Sequence, residues 1–185
     1  MVASCCERPD GSTILCASRR KLGSFQYRHA STSVKILASG FLMLALAGLG
    51  VVLLQIYVKT GLTTQGTLAH YRGDEATLQT AMGFGELVEV THAHAFTMPL
   101  LALALGCAFL LTETSERVKR VVVSALLAGV GLELILPWVV RYGSPWSVHL
   151  FNLAGILLAG GIFAAVGVPL YEMWISNGGV GTKAL

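Results

Sequence analysis

Residues 84–111 read FGELVEVTHAHAFTMPLLALALGCAFLL, with Glu86, Glu89, His92 and His94 near the start and no charged side chain after them. A helix rises 1.5 Å per residue, so about 20 such positions cross roughly 30 Å of hydrocarbon. The stretch is long enough to span a bilayer and apolar enough to stay there. Its polar opening is the exception that any functional reading has to explain.

Working outward, three more runs have the same character: 34–58, 121–140 and 148–174. Hydrophobic residues make up 54% of the chain and charged ones 12%, about half the roughly 25% charged share of a soluble domain. So few charges cannot cover so much apolar surface in water. The expected fold class is all-α, an integral membrane four-helix up-down bundle over 34–175 in a chain of 185 residues. Residues 1–33 are polar and read as a disordered cytoplasmic tail or an over-extended start, and 176–185 as a short cytoplasmic tail. Residues 59–82 read as a loop with room for a short interfacial helix.

Basic residues set the expected orientation. With a cytoplasmic N-terminus, Arg8, Arg19, Arg20, Lys21, Arg28, Lys35, Arg117, Lys119, Arg120 and Lys183 lie inside, and Lys59, Arg72 and Arg141 outside. The expected location is a bacterial inner membrane with both termini cytoplasmic. Trp138, Tyr142 and Trp146 then form an aromatic belt at the outer surface, with Tyr171 and Trp174 at the inner one. The net charge of +3 does not point to nucleic acid, because no basic face is interleaved with aromatics. Cys5, Cys6, Cys16 and Cys107 offer neither a disulfide framework nor a CxxC zinc spacing. Gly40, Gly48 and Gly50, and the small residues Gly155, Ala159, Gly160 and Ala164, read as helix-packing positions.

A charge at the centre of a bilayer costs roughly 2.5–3.5 kcal/mol on insertion scales. Polar groups inside the spans are therefore informative, and here they share a level. Counting back from the inner end of 84–111 puts His92 at the outer boundary, with Glu86 and Glu89 near the surface. Glu133 falls in the outer half of its span, and His149 and Asn152 open the last one. At about 100° per residue, Glu86, Glu89 and His92 occupy one arc and are expected to face inward; His94 points elsewhere. Pro99 and Pro137 leave the carbonyls of Ala95 and Glu133 without helical donors at a similar depth. Taken singly, each Glu or His has a simple explanation: it snorkels to water or satisfies a backbone carbonyl. On three helices at one depth, a shared site is the better reading. His70 reads as a loop residue and Cys107 as core.

Three uses fit such a site. His92, His94 and His149 can hold haem b, or a transition-metal ion can be ligated by Glu86, Glu89, His92 and Glu133; Glu89 and His92 have the Glu-x-x-His spacing of carboxylate-bridged bundles. Either would make the protein a redox or metal-handling component. Alternatively the groups line a proton or solute path in a small permease or proton-coupled subunit. Third, the protein is a structural or assembly subunit. Its expected partners are the lipid bilayer and a membrane protein or a second copy, with no nucleic acid. Walker A, HExxH, GxSxG and Rossmann patterns are all missing from the sequence, so no catalytic residue is assigned.

The segments HYRGDE, ELVEVTHAHAFTMPLLALALG, PWVVRYGSP and LYEMW resemble a family of small, uncharacterised bacterial inner-membrane proteins with four predicted helices. The signature ELxExTHxHxFxMPLL corresponds here to Glu86 through Leu101, including Thr91, His92, His94, Phe96, Met98, Pro99 and Leu100. The resemblance covers 34–174 and leaves the N-terminal tail outside it. It implies the four-span topology and names no reaction.

Overall fold

The computed structural model describes Tyr27 and residues 30–175. Its elements are α1 (Thr32–Thr60), α2 (Thr64–Arg72), α3 (Phe84–Leu110), α4 (Glu116–Tyr142) and α5 (Ser147–Trp174). The described residues form no strand beyond an isolated bridge between Asp74 and Gln79. Helices α1, α3, α4 and α5 are each long and apolar enough to cross a membrane. Apart from Tyr27 and residues 30–33, the expected tails lie outside the described residues.

Helix boundaries follow capping chemistry more closely than hydropathy. Helix α4 begins at Glu116, ahead of the apolar run at Val121, because the Ser115 hydroxyl accepts from the Val118 N–H at 3.5 Å. The polar stretch after α1 also contains a real helix. Gly61 ends α1 at φ 61°, a left-handed turn that glycine adopts without strain, and donates to the Tyr57 carbonyl at 2.8 Å. Two residues later Thr63 caps α2, its hydroxyl accepting from the Gly66 N–H at 3.0 Å. After α2, Asp74 holds a tight turn, accepting from the Ala76 N–H at 3.1 Å and the Thr77 hydroxyl at 2.8 Å.

Helices α4 and α5 pack closely against each other. A Cβ on Gly129 would stand 2.8 Å from Leu158 Cβ, and one on Gly161 would stand 3.1 Å from Leu126 Cδ2. These two glycines, one per helix, let the backbones close up where lipid provides no hydrophobic drive between helices. They are not the glycines that sequence spacing favoured. Gly40, Gly48, Gly50 and Gly160 have nothing within 4 Å of an added Cβ. This contact is part of an apolar core that includes Leu42, Leu105, Phe109, Leu126, Ala165 and Val166. Tyr27, from the segment read as a tail, is buried in the same core.

Hydrogen bonds close both ends of the helix assembly. At one end Lys35 donates to the Met173 carbonyl at 3.2 Å, and Trp174 donates to the Ser39 hydroxyl at 2.8 Å. There the Glu113 N–H also meets both Glu172 carboxylate oxygens, at 3.0 and 2.9 Å. At the other end Arg72 donates to the Gly143 carbonyl and Arg141 to the Met82 carbonyl, both at 2.8 Å. Helix α2 belongs to this second end.

Candidate functional site

The site forms where α2 lies across α4 and α5. Glu133, on α4, is half-buried, and its Oε1 would be 3.3 Å from a Cβ placed on Gly155. Glycine at 155 thus leaves room on α5 for the carboxyl group. Three positions earlier on α5, Asn152 donates from Nδ2 to the Thr64 hydroxyl at 3.1 Å. Thr64 and Tyr71 are two turns apart on α2 and so share a face. Tyr71 packs edge-on against Phe151 of α5, with ring centres 5.6 Å apart and planes at 89°. Among the described residues, no hydrogen bond or ion pair reaches the Glu133 carboxylate. An acidic group in an apolar span thus lies where α4 faces α5, with no hydrogen-bond or ion-pair partner among the described residues.

The histidines and the other glutamates are placed differently. Leu87, Ala102 and Leu105 of α3 are buried, and Thr91, His94 and Met98 are half-buried, so these positions form the inward stripe. Glu86, Glu89 and His92 are exposed. The Glu/Glu/His arc exists, but it faces outward, where an inward one was expected. Helical spacing decides which residues share a face; the neighbouring helices decide which face turns inward. His92 lies edge-on to Phe96 at 5.5 Å, His94 Nδ1 meets the Val90 carbonyl at 2.7 Å, and His149 sits beside Trp146 at 6.1 Å. Each imidazole makes its contact within its own helical stretch. The described residues contain no group of three His, Cys, Asp or Glu side chains that could hold a metal ion.

Two side chains that stand in the sequence only within the family-like segments make contacts between elements. Thr91 bridges helices, donating to the Leu87 carbonyl at 2.8 Å and accepting from Trp138 Nε1 at 2.9 Å. Tyr71 falls in the stretch that reads as a loop, and no periodicity in the sequence ties α2 to α4 or α5.

Residues 61–179 match the model of a family described as a transmembrane helical domain, Aq_1264_TM. The chain belongs to that bacterial membrane family. No curated protein and no solved structure matches it. The matched region begins after α1 and contains every residue of the α2–α4–α5 junction: Thr64, Tyr71, Glu133, Asn152 and Gly155. With four spans long and apolar enough to cross, this family member is an integral membrane protein.

The electrostatics of α2 reflect the same junction. Burial pushes the Tyr71 phenol from 10.0 up to about 12, and the Glu133 carboxylate pushes it the same way. Tyr71 therefore stays a neutral hydroxyl at working pH, able to donate to an anion or accept from a guest. The folded protein holds this proton more tightly than the unfolded chain. The resulting stability is fully present below pH 10 and is lost as pH rises through about 12. In detergent-solubilised protein, phenolate absorbance should show a tyrosine titrating at about pH 12 that Tyr71→Phe removes. Glu133→Gln should lower its midpoint only part-way, because burial is the larger cause. His70, half-buried and edge-on to Tyr71 at 5.2 Å, is lowered by burial and by Lys59, with Glu86 opposing.

Proposed function

We propose that the chain threads a bacterial inner membrane as an up-down bundle with both termini cytoplasmic, and that Glu133 takes up a proton or small cation from the α2 side. In this reading the protein is a proton-coupled or cation-binding membrane subunit. The topology is supported by the charge bias, by the short links from α3 to α4 and from α4 to α5, and by end contacts pairing the start of α1 with the end of α5. One observation carries the function: the Glu133 carboxylate, opposite Gly155 and close enough to Tyr71 to raise its pKa, has no hydrogen-bond or ion-pair partner among the described residues. A carboxylate so placed is costly until a proton or cation meets it.

The half of the spans remote from α2, 100–111 on α3 and 121–132 on α4, carries no charged side chain. That pattern favours binding from one surface over passage across the membrane. The test uses purified protein in detergent. Infrared difference spectra across pH should show a carboxyl band, and sodium, potassium, magnesium and calcium should be screened for a shift in thermal unfolding. The proposal expects a band or a cation-dependent shift in the wild type that Glu133→Gln abolishes. Identical responses in both proteins would remove its basis.

Haem or transition-metal ligation by His92, His94 and His149, with Glu86, Glu89 and Glu133, is a separate proposal, which the visible spectrum and metal content of the same preparation decide. A Soret band lost in His92→Ala or His149→Ala assigns haem, and stoichiometric metal without that band assigns an ion site.

A further inference from the structure

Outside the Glu133 junction, the α2 end of the molecule carries a second feature of a different kind. A shallow groove of about 600 Å³ runs along the outer face of α4, lined by Leu134, Ile135, Trp138, Val139, Tyr142 and Gly143. These positions recur at i, i+4 and i+8 and form one stripe of the helix. The groove is almost wholly apolar except at its end, where two guanidinium groups meet it. Arg72 of α2 donates to the carbonyl of Gly143, a lining residue, at 2.8 Å. Arg141 is held by the Met82 carbonyl at 2.8 Å, with its Cζ 5.2 Å from the ring centre of Tyr142, another lining residue.

Neither arginine is ion-paired to a carboxylate among the described residues. Each spends one N–H on a carbonyl that fixes its position and keeps further donors of its five free. An arginine fork matches phosphate oxygens in shape and charge. A phosphate anion at the head of an apolar chain is the chemistry of a phospholipid. Trp138 and Tyr142, stacked at 6.2 Å, lie at the same end of α4 as both arginines, Trp138 with its Nε1 turned to Thr91 and its ring along the groove.

We propose that this groove binds one anionic phospholipid, its headgroup phosphate between Arg72 and Arg141 and an acyl chain along Leu134, Ile135 and Trp138. The charge complementarity at the mouth distinguishes this stripe from ordinary lipid-facing surface, which is apolar along its length. The site is independent of Glu133 and would stand if that residue proved silent.

The test uses full-length protein with Trp146→Phe and Trp174→Phe, so that Trp138 alone reports. Phosphatidylglycerol or phosphatidylcholine with brominated acyl chains is titrated into mixed micelles, and tryptophan quenching is followed. Quenching by the anionic lipid should be half-complete at a mole fraction about tenfold lower than with phosphatidylcholine, the difference one charge-assisted contact supplies. Adding Arg72→Gln and Arg141→Gln should erase that preference. Ile135→Phe, which fills the groove and spares both arginines, should weaken quenching by both lipids and guards against misfolding of the arginine variants. Equal curves for the two lipids, or a preference that survives loss of both arginines, would overturn the proposal. So would a crosslinkable dimer that shields Trp138 from both lipids, since a second copy would then occupy the groove.

Discussion

Glu133→Leu is expected to make the protein more stable while ending its response to protons or cations. Leucine fills much the same volume without an acidic group inside the span. Full burial of a charge costs roughly 2.5–3.5 kcal/mol at mid-membrane, and Glu133 is only half-buried, so a gain of about 1–2 kcal/mol is expected. Thermal unfolding in one detergent, with and without the cation that shifts the wild type, measures it. Without cation the variant should melt higher; with cation the wild type should rise toward it and the variant should not move. Glu133→Gln should fall between, because an amide is polar but uncharged. A variant that melts lower than the wild type under every condition would mean that Glu133 braces the fold and takes up nothing.

That outcome bears on what a sequence can reveal in lipid. Of the carboxylates in the spans, Glu133 is the deepest, and the cost of its position alone marks it out. The four spans were legible for the same reason, since long apolar runs in a chain this poor in charge leave few alternatives. The surroundings of Glu133 were not legible. Tyr71 and Thr64 reach the site because α2 folds back over α4 and α5, and α2 announces itself by a threonine cap and flanking glycines, with no apolar stripe. The α3 glutamates and His92 were grouped correctly on one arc, but that arc turned outward because Leu87, Ala102 and Leu105 had the stronger claim on the core. Small residues four apart are common in spans, so spacing could not rank Gly155 and Gly160 against Gly129 and Gly161.

Gly129 tests that ranking, and its substitution is expected to have the largest effect on the fold. A Cβ at 129 would lie 2.8 Å from Leu158 Cβ and 3.0 Å from Leu158 Cα. The obstacle is the start of a side chain and its backbone, so no rotamer change clears it. Gly129→Ala sets an overpacking cost of about 1–3 kcal/mol against the roughly 0.5–1 kcal/mol that alanine gains over glycine within a helix. The net is a modest loss. Gly129→Val adds two methyl groups at the same point and must push α4 from α5, weakening their contact. A loss of at least about 3 kcal/mol is expected, read as a large drop in melting temperature or a failure to recover monodisperse protein. Gly160→Ala, on α5 but with open space around it, should be neutral or slightly stabilising. If Gly129→Val melts with the wild type while Gly160→Ala is harmful, α4 and α5 meet through a different face, and Glu133 would lose the Gly155 side of its site as well.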